Sequence, residues 1–264
     1  MKRTIIFLSA LIVMVTGCTG LTQPRVSEAE VATKVALLKL TANPIQATQK
    51  NGIVLATVQT SAPQLTPTAT TTPITPPTDP VTWLGTPTWR DTFDGTNNFY
   101  TTSEEHIQFA YSGDAFSMTA VSAGGWHSWS LGNRRISNFY LEALFKVGAC
   151  SGNDKYGLVF RAPDTSQGYF YGVSCDGKFS LTRWDTMSLL INWKPAQPLH
   201  SGPNQTNRVG VMARGNELTL YINGEQVEKI TNDRYTEGLF GFYIASFNTV
   251  PFNVLVDEIA YWNQ

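Results

Sequence analysis

Short apolar runs separated by polar turns continue from residue 83 to residue 264, and this pattern predicts an all-β domain. The densest part, residues 156–184, contains three runs rich in aromatic and β-branched residues. Asp176-Gly177 separates the last two runs. Asp-Gly between apolar runs favours a β-hairpin, because a type I′ turn needs positive φ at both central residues. We therefore predict an antiparallel meander at the centre of this domain.

Turn signals recur at the spacing of a two-sheet sandwich, and Asn223-Gly224 predicts a second type I′ hairpin. The predicted strands are 88–93, 106–111, 115–120, 126–131, 139–147, 156–162, 168–174, 178–184, 208–214, 217–222, 226–230, 239–246 and 253–262. Residues 185–207 lack strand signals and are predicted to form a loop over one sheet. The whole pattern predicts one domain over residues 83–264, an antiparallel jelly-roll sandwich.

The first 17 residues have the pattern of an export signal. Positive residues precede an apolar run (residues 5–15) that is too short to cross a bilayer. The sequence VTGC, which ends at Cys18, resembles the lipobox of a bacterial lipoprotein signal peptide. The resemblance implies export and lipidation of Cys18, which would hold the protein on the outward side of a bacterial membrane. The alternative is an ordinary secretory signal followed by an unrelated Cys.

Two segments separate the signal from the sandwich. Residues 18–58 form a predicted tether with one short helix over residues 27–40, which serves either as a spacer or as an association element. Residues 59–82 are dominated by Thr and Pro, have no hydrophobic periodicity and carry almost no charge. Such a tract cannot bury enough surface to offset its ordering entropy, so it is predicted to be a disordered, extended linker.

Charge and composition argue against one class of function, nucleic-acid binding. The net charge is −1 and charged residues make up only 15% of the chain, so no basic stripe favours nucleic-acid binding. Six of the seven Trp residues lie beyond Leu84, which allows a large apolar core.

The three Cys residues leave one pair once Cys18 is set aside. Cys150 and Cys175 are predicted to form a disulfide, because an even pair in an exported protein favours one. Cys150 follows the predicted strand 139–147 and Cys175 follows the predicted strand 168–174. If these are strands one and three of a meander, residues 151–153 would have to fold over the strand 156–162 between them. The alternative is two free buried thiols.

A family resemblance follows from motifs in a fixed order: WRDTFDG, YGLVFR, YFYGVSCDGKFSL, LTLYINGEQV, GLFGFYIA and FNVLVDEIAYW. Over residues 89–262 the chain resembles the concanavalin A-like lectin/glucanase sandwiches, and among them the laminin-G-like and DUF1080-type ("3-keto-disaccharide hydrolase") domains. The resemblance implies a jelly roll whose first and last strands are neighbours. It does not choose a function, because this fold occurs in lectins, glycosidases and adhesion modules.

The implied neighbouring strands would bring Asp91 and Asp94 towards Asp257. Carboxylate oxygens are ligands that Ca²⁺ prefers, so these residues are a candidate structural calcium site. The alternative is turn capping by Asp side chains in water. No other cofactor is indicated by the sequence.

No catalytic residues are predicted. The Glu-x-Asp-x-(x)-Glu pattern of glucanases on this fold is absent, and adjacent residues such as Asp257 and Glu258 would point to opposite faces of a regular strand. No zinc or nucleophile motif occurs either. A catalytic pair of carboxylates contributed by two different strands stays an open alternative. Because no catalytic motif is present, an enzyme is less favoured than a binding module.

A binding function would depend on aromatic and polar side chains, because Trp stacks on the apolar faces of sugar rings. The candidate carbohydrate-binding residues are Trp126, Trp129, Arg161, Arg183, Trp184 and Trp193. The spacing of the first two predicts that one is in the core and the other exposed. Arg161 is predicted to lie on the face opposite Phe160, and Arg183 would need an acidic partner if buried. For each Trp, a core position is the alternative.

The leading hypothesis is therefore a membrane-anchored surface lipoprotein that displays a non-catalytic β-sandwich for carbohydrate binding or adhesion. Its partners would be a glycan or cell-surface polymer and, through Cys18, the membrane. The alternatives are a structural or protein-interaction module without a sugar site, and a glycoside hydrolase of the DUF1080 type.

Overall fold

The computed structural model describes residues 79–95 and 97–264. The predicted signal peptide, the tether with its helix, and the linker up to residue 78 lie outside these residues. Within the described part, no helix is long and apolar enough to cross a membrane.

The described residues form one helical turn, α1 (Val81–Leu84), one 3-10 turn (Trp184–Thr186) and fifteen strands. The strands are β1 (Trp89–Asp91), β2 (Thr102–Ser103), β3 (Ile107–Tyr111), β4 (Phe116–Ala120), β5 (Ser128–Ile136), β6 (Phe139–Val147), β7 (Lys155–Ala162), β8 (Tyr169–Ser174), β9 (Lys178–Arg183), β10 (Ser188–Pro195), β11 (Thr206–Arg214), β12 (Glu217–Ile222), β13 (Glu225–Thr231), β14 (Gly238–Ala245) and β15 (Phe252–Asn263).

The strands build two antiparallel sheets, which confirms the predicted sandwich. The nine-stranded sheet has the order β13-β12-β11-β6-β15-β4-β3-β2, with β1 also paired to β15. The six-stranded sheet has the order β10-β9-β8-β7-β14-β5. The first and last strands are neighbours as the resemblance implies, with Asp91 opposite Ile259.

The core between the sheets is built from the alternating apolar positions. Phe116, Phe145 and Phe242 are completely buried there. The ring centroids of Phe99 and Phe242 lie 4.7 Å apart. One face of each strand must pack against the other sheet, so apolar residues recur at alternating positions along the strands.

Both predicted hairpins are present, but their turns differ. Asn223 and Gly224 have φ of 51° and 84°, as a type I′ turn requires. In the β8–β9 hairpin only Gly177 has positive φ, and its N–H donates to the carbonyl of Ser174 at 3.0 Å. This is a longer loop in which Gly177 alone takes the left-handed conformation.

The disulfide between Cys150 and Cys175 is confirmed, with the two Cα atoms 5.8 Å apart. The predicted route to it is wrong, because β6 belongs to the nine-stranded sheet and β7 to the six-stranded sheet. The chain crosses between sheets at residues 148–154, and the bond therefore joins the two layers. No intervening strand separates the two cysteines.

The prediction that residues 185–207 form a loop is also wrong for their first half. β10 is the edge strand beside β9, and register shifts on both sides of Ile191 interrupt the pairing. Only one neighbour orders this strand, and the shifts break the alternation of apolar and polar residues. The sequence signal is weak for that reason.

The domain includes residues that the sequence pattern assigns to the linker. The side chains of Val81 and Leu84 in α1 pack against Tyr140 and Trp262 on the outward face of the nine-stranded sheet. Asp79 forms an ion pair with Arg208 on β11.

Candidate functional site

The outward face of the six-stranded sheet carries a second, smaller layer of aromatic side chains, called here the aromatic face. At its base Phe170 and Tyr243 are stacked, with ring centroids 4.7 Å apart and planes 20° apart. Gly172 makes this possible, because a Cβ there would overlap the hydroxyl of Tyr243. Trp184 stacks on Phe170 at 4.5 Å, and Trp129 contacts Trp184.

A cleft of about 190 Å³ opens beside this layer, at the end of the sheet near the disulfide. It is called here the lysine cleft. Its lining includes Lys155 at the start of β7, Trp193 on β10, Phe247 in the loop before β15, and Lys178 on β9. Strand alternation places Lys155 outwards, since Tyr156 packs into the core between the sheets.

The ammonium group of Lys155 lies between two aromatic rings. Its Nζ is 4.8 Å from the ring centroid of Trp193 and 4.4 Å from that of Phe247. Burial lowers the pKa of Lys155, although the charge of Asp176 opposes that shift. Within the described residues, no carboxylate lies within ion-pair distance of this ammonium group.

The loop that carries Phe247 is fixed by a buried carboxylate. Asp154 accepts hydrogen bonds from the backbone N–H groups of Phe247 (2.8 Å), Asn248 (2.7 Å), Thr249 (3.0 Å) and Ser151 (3.2 Å). Burial alone would raise the pKa of Asp154, but these hydrogen bonds lower it below its ordinary value. The cleft wall is therefore held by main-chain contacts.

A neighbouring loop adds an exposed Trp to this end of the sandwich. Trp126 precedes β5, is 57% exposed and stacks on His106 with centroids 4.4 Å apart. The N–H of Gly125 donates to the carbonyl of Ser246 at 2.8 Å, and a Cβ at Gly125 would overlap the Phe247 ring. Gly125 therefore connects Trp126 to the loop that forms one wall of the lysine cleft.

His127 lines a second depression of about 220 Å³, together with Tyr100, Ser128 and Trp129. Its ring lies parallel to that of Tyr243, with centroids 6.1 Å apart. The buried Nδ1 atom has no hydrogen-bond partner among the described residues. Burial, together with the charge of Lys155, lowers the pKa of His127 to about 4.

The structure brings three of the six candidate binding residues to one face. Trp129, Trp184 and Trp193 lie on the aromatic face, each partly exposed. Arg183 ends β9 on the other side of the strand, opposite Tyr169, whose ring packs in the core between the sheets. Of Trp126 and Trp129, one was predicted to be exposed and the other to lie in the core. Trp126 is exposed, but Trp129 is half-buried on the outer face and not in the core between the sheets.

Arg183 is half-buried, and its predicted acidic partner is present. Its Nε donates to the Oδ1 of Asp185 at 2.7 Å.

Arg161 does not belong to the site, and its prediction is wrong. It is completely buried, and its guanidinium group donates to the backbone carbonyls of Ser137, Gly215 and Tyr235. The reason is a β-bulge, in which Phe160 and Arg161 together oppose a single residue of β14. Arg161 has φ of 47°, so the alternation that predicts an outward position fails at this residue.

Two of the three candidate calcium ligands have partners within the protein, and the third, Asp94, is exposed. Asp91 is buried and caps its own loop, accepting hydrogen bonds from the N–H of Phe93 and from Asn98, both at 2.8 Å. Asp257 forms an ion pair with Lys146. In the described part of the chain, no group of three His, Cys, Asp or Glu residues is arranged to hold a metal ion.

The opposite sheet has a charged pocket of about 340 Å³, called here the glutamate pocket, lined by Glu142, Glu258, Arg90, Arg208 and Trp262. Glu142 accepts from the hydroxyl of Tyr140 at 2.6 Å. Burial raises the pKa of Glu142, and this effect exceeds the opposing effects of Tyr140 and Arg208. Glu258 pairs with Arg90 at 2.6 Å.

A second β-bulge overturns the prediction that Asp257 and Glu258 face opposite ways. Val256 opposes Phe145 and Glu258 opposes Leu144, so Asp257 is an extra residue. The bulge reverses the alternation of β15, and both carboxylates lie on the outward face, where Asp257 meets Lys146 and Glu258 meets Arg90.

Comparison with known proteins gives structural matches only. No protein-family model and no curated protein sequence matches the chain. A Bacillus subtilis protein of unknown function with a galectin-like fold matches with a TM-score of 0.53 and 13% identity, over 68% of this chain and 96% of that one. The chain has the galectin-like, concanavalin A-type β-sandwich fold.

Two further solved structures match. A chain from the human gut microbiota, described with endo-acting O-glycanases that initiate mucin breakdown, has a TM-score of 0.51 and 10% identity, over 68% of this chain and all (100%) of that one. The carbohydrate-binding module CBM66 from Bacillus subtilis has a TM-score of 0.49 and 17% identity, over 64% of this chain and 98% of that one. At these identities the two likenesses with TM-scores of 0.53 and 0.51 establish the fold alone.

Sequence reasoning missed Lys155, Phe247 and Asp154. Alternation in β7 was a usable signal for Lys155, because Tyr156 and Leu158 are apolar and Lys155 has the opposite phase. The other two residues lie in loops, and only the three-dimensional structure shows that one fixes the other.

Proposed function

We propose that the chain is an exported surface lipoprotein whose β-sandwich binds a glycan on the aromatic face. The observation that carries the proposal is the lysine cleft, where Trp193 and Phe247 flank a cation in a preformed concave site. Aromatic rings offer the apolar surface on which sugar rings stack, and the cleft adds Asn, Ser and Lys side chains that bind hydroxyl or acidic groups.

The fold supports this proposal at the level of class. Concanavalin A-type sandwiches occur in lectins, glycosidases and adhesion modules, so the site has to decide among them. The rigidity of the cleft favours binding, because the buried carboxylate of Asp154 holds the Phe247 loop before any ligand arrives.

A glycan array tests the proposal. The full chain, purified in detergent micelles, is expected to bind at least one class of glycan on the array. The competing hypothesis is a structural or protein-interaction module. The absence of binding to every neutral and acidic glycan on the array would favour that hypothesis.

Membrane anchoring is part of the same proposal and is supported by the VTGC sequence and by the Thr/Pro-rich tract that follows. Each buried CH₂ of an acyl chain adds about 0.8 kcal/mol, so several chains on Cys18 would hold the protein firmly. In cells given labelled palmitate, the wild-type chain is expected to take up label, and Cys18→Ala is expected to lose it. Labelling that persists in the variant contradicts lipidation at this residue.

A second candidate function, glycoside hydrolysis, is favoured by the glutamate pocket. Glu142 lies opposite Ala260 and Glu258 lies opposite Leu144, so the two carboxylates are diagonal neighbours on β6 and β15. Such neighbours are roughly 7–8 Å apart at Cα, compatible with the ~5–9.5 Å between the carboxyl groups of glycosidases. The raised pKa of Glu142 suits a general acid.

Release of reducing ends from bound polysaccharides separates this function from binding alone. A hydrolase is expected to release sugar and to lose at least about a hundredfold of that rate in Glu142→Gln and in Glu258→Gln. If the wild-type chain binds glycans and releases no sugar, hydrolysis is excluded for those substrates.

A further inference from the structure

We propose that the lysine cleft recognises an oxyanion on a sugar ring, either the carboxylate of an acidic sugar or a sulfate ester. This inference rests on the proposed glycan-binding function and specifies the chemical class of its ligand. Lys155 supplies the positive charge, Trp193 and Phe247 flank it, and Lys178 lies on the same wall.

Lys155 is the cation of the cleft that has no ion pair among the described residues. Asp176 is the acidic residue of the lining, and it is already engaged by Lys178 and by the hydroxyl of Ser174, which donates to its Oδ1 at 2.5 Å. Asp176 therefore pairs directly with Lys178 and acts on Lys155 only at longer range. Across the described residues, the Lys155 ammonium group has ring contacts but no ion pair, and its three N–H donors suit an arriving anion.

Partial burial makes an anion a better ligand than a neutral hydroxyl group. The two rings remove water from one side of the Lys155 ammonium group, and this desolvation is unfavourable for a charged group. An oxyanion restores strong hydrogen bonds to the ammonium group in a site where the local dielectric constant is below that of water. A neutral hydroxyl group compensates the charge less well.

The carrier of the anion is inferred from shape and surface. The cleft volume of about 190 Å³ corresponds to about six water molecules at ~30 Å³ each, which is on the order of one sugar residue. Trp193 offers a partly exposed ring beside the ammonium group, so a sugar can stack while its acidic substituent contacts Lys155.

Two connections fix the position of Lys155 relative to Phe247. Asp154 immediately precedes Lys155 and binds the backbone of the Phe247 loop. The disulfide joins Cys150, before this segment, to Cys175, next to Asp176. Both walls of the cleft are therefore connected covalently or through a buried carboxylate, so little ordering entropy is lost on binding.

Matched neutral and acidic probes test the inference. The full chain in detergent micelles is tested by affinity electrophoresis against polygalacturonate and its fully methyl-esterified form, and against dextran sulfate and dextran. Within each pair the sugar backbone is the same and the charge differs. We expect at least a tenfold preference for one acidic member, and the pair that shows it identifies carboxylate or sulfate as the ligand group.

Three variants assign that preference to the cleft. Lys155→Met keeps the length of the side chain and is expected to lose the acidic preference by at least tenfold, whereas Lys155→Arg is expected to retain part of it. Lys229→Met is the matched control, because Lys229 is exposed on the opposite sheet and paired with Glu217 at 2.6 Å. Unchanged thermal unfolding shows that each variant is folded.

The failures are distinguishable. Equal binding of the acidic and neutral members, or a preference that survives Lys155→Met, overturns the inference and leaves the glycan-binding proposal standing. Equal losses in Lys155→Met and Lys229→Met indicate general charge attraction and also overturn it. If neither these probes nor any glycan on the array binds, the proposed function and the inference fail together.

Discussion

Arg161 shows how one side chain can close the interior of the sandwich. Its guanidinium group lies fully buried between segments that are distant in sequence, and it donates to the carbonyls of Ser137, Gly215 and Tyr235. Buried carbonyl groups without donors are unfavourable, so a single planar side chain with five N–H donors stabilises three loops at once.

Replacing Arg161 by Met is expected to lower the free energy of unfolding by about 3 kcal/mol, because three carbonyl groups lose a charged donor. Chemical denaturation of the full chain measures this change. Arg135→Met is the control and should change stability by less than ~0.5 kcal/mol. Arg135 is exposed, and both its 3.8 Å contact with Glu237 and its hydrogen bond to the carbonyl of Pro163 at 3.1 Å lie at the surface. Equal effects in the two variants would contradict a buried structural role for Arg161.

His127 makes stability depend on pH. Its pKa is about 4 in the folded protein and about 6.5 in an unfolded chain, so between these values the unfolded state binds more protons. The free energy of unfolding should therefore fall as pH falls from 6.5 to 4, by no more than ~1.4 kcal/mol per pH unit from this group.

Thermal unfolding at several pH values measures the effect. The variant His127→Phe keeps an aromatic ring against Tyr243 and Phe170 and should show a flatter dependence in this range. His200→Phe serves as the control, because His200 is exposed. A slope that is the same in the wild type and in His127→Phe would show that another group causes it.

At the scale of elements, the strands were predictable where alternation and turn chemistry agree. β6 and β12 begin and end at the predicted residues, and the Asn223-Gly224 hairpin has the predicted turn. The bulges at Arg161 and Asp257 were not predictable, because each reverses the alternation that the prediction uses. Nor could local pattern assign β6 and β7 to different sheets, since either neighbour buries an apolar face equally well.

The sequence predicted only part of the candidate site, because composition and alternation carry no information about contacts between distant loops. Aromatic residues suggest a sugar-binding surface by composition, and the structure brings Trp129, Trp184 and Trp193 to one face. The loop that completes the site depends on Asp154, whose contacts are almost 100 residues away at Phe247 and Thr249. Sequence spacing carries no signal for such a contact.

Replacing Asp154 by Asn tests the role of this loop. The amide keeps the size of the side chain but removes its charge and gives one oxygen in place of two, so several backbone N–H groups lose their acceptor. We expect a loss of about 2 kcal/mol in stability and faster amide hydrogen exchange confined to residues 247–249. Unchanged exchange there would contradict the account.

The low pKa of Asp154 adds a condition to this test. Because its pKa lies below the ordinary value in the folded protein, its contribution to stability is present above the unfolded pKa of about 3.9 and is lost as pH falls through the lower folded value. The difference between wild type and Asp154→Asn should therefore be constant at neutral pH and shrink only in strong acid.

At the scale of the whole molecule, the two outward faces have different characters. The nine-stranded sheet carries α1 and the charged glutamate pocket, whereas the six-stranded sheet carries the aromatic face and the lysine cleft. The first described segment, residues 79–84, therefore packs on the sheet opposite the proposed binding surface.

The most direct test of the central claim is the affinity of the full chain for its array-identified glycan, measured for wild type, Trp193→Ala and Trp83→Ala. Trp83 is the control, because it lies in α1 and is 49% exposed. Binding on the aromatic face predicts more than a tenfold loss in Trp193→Ala, as expected for a central aromatic contact, and less than about a twofold change in Trp83→Ala. Unchanged affinity in folded Trp193→Ala would contradict the proposed site.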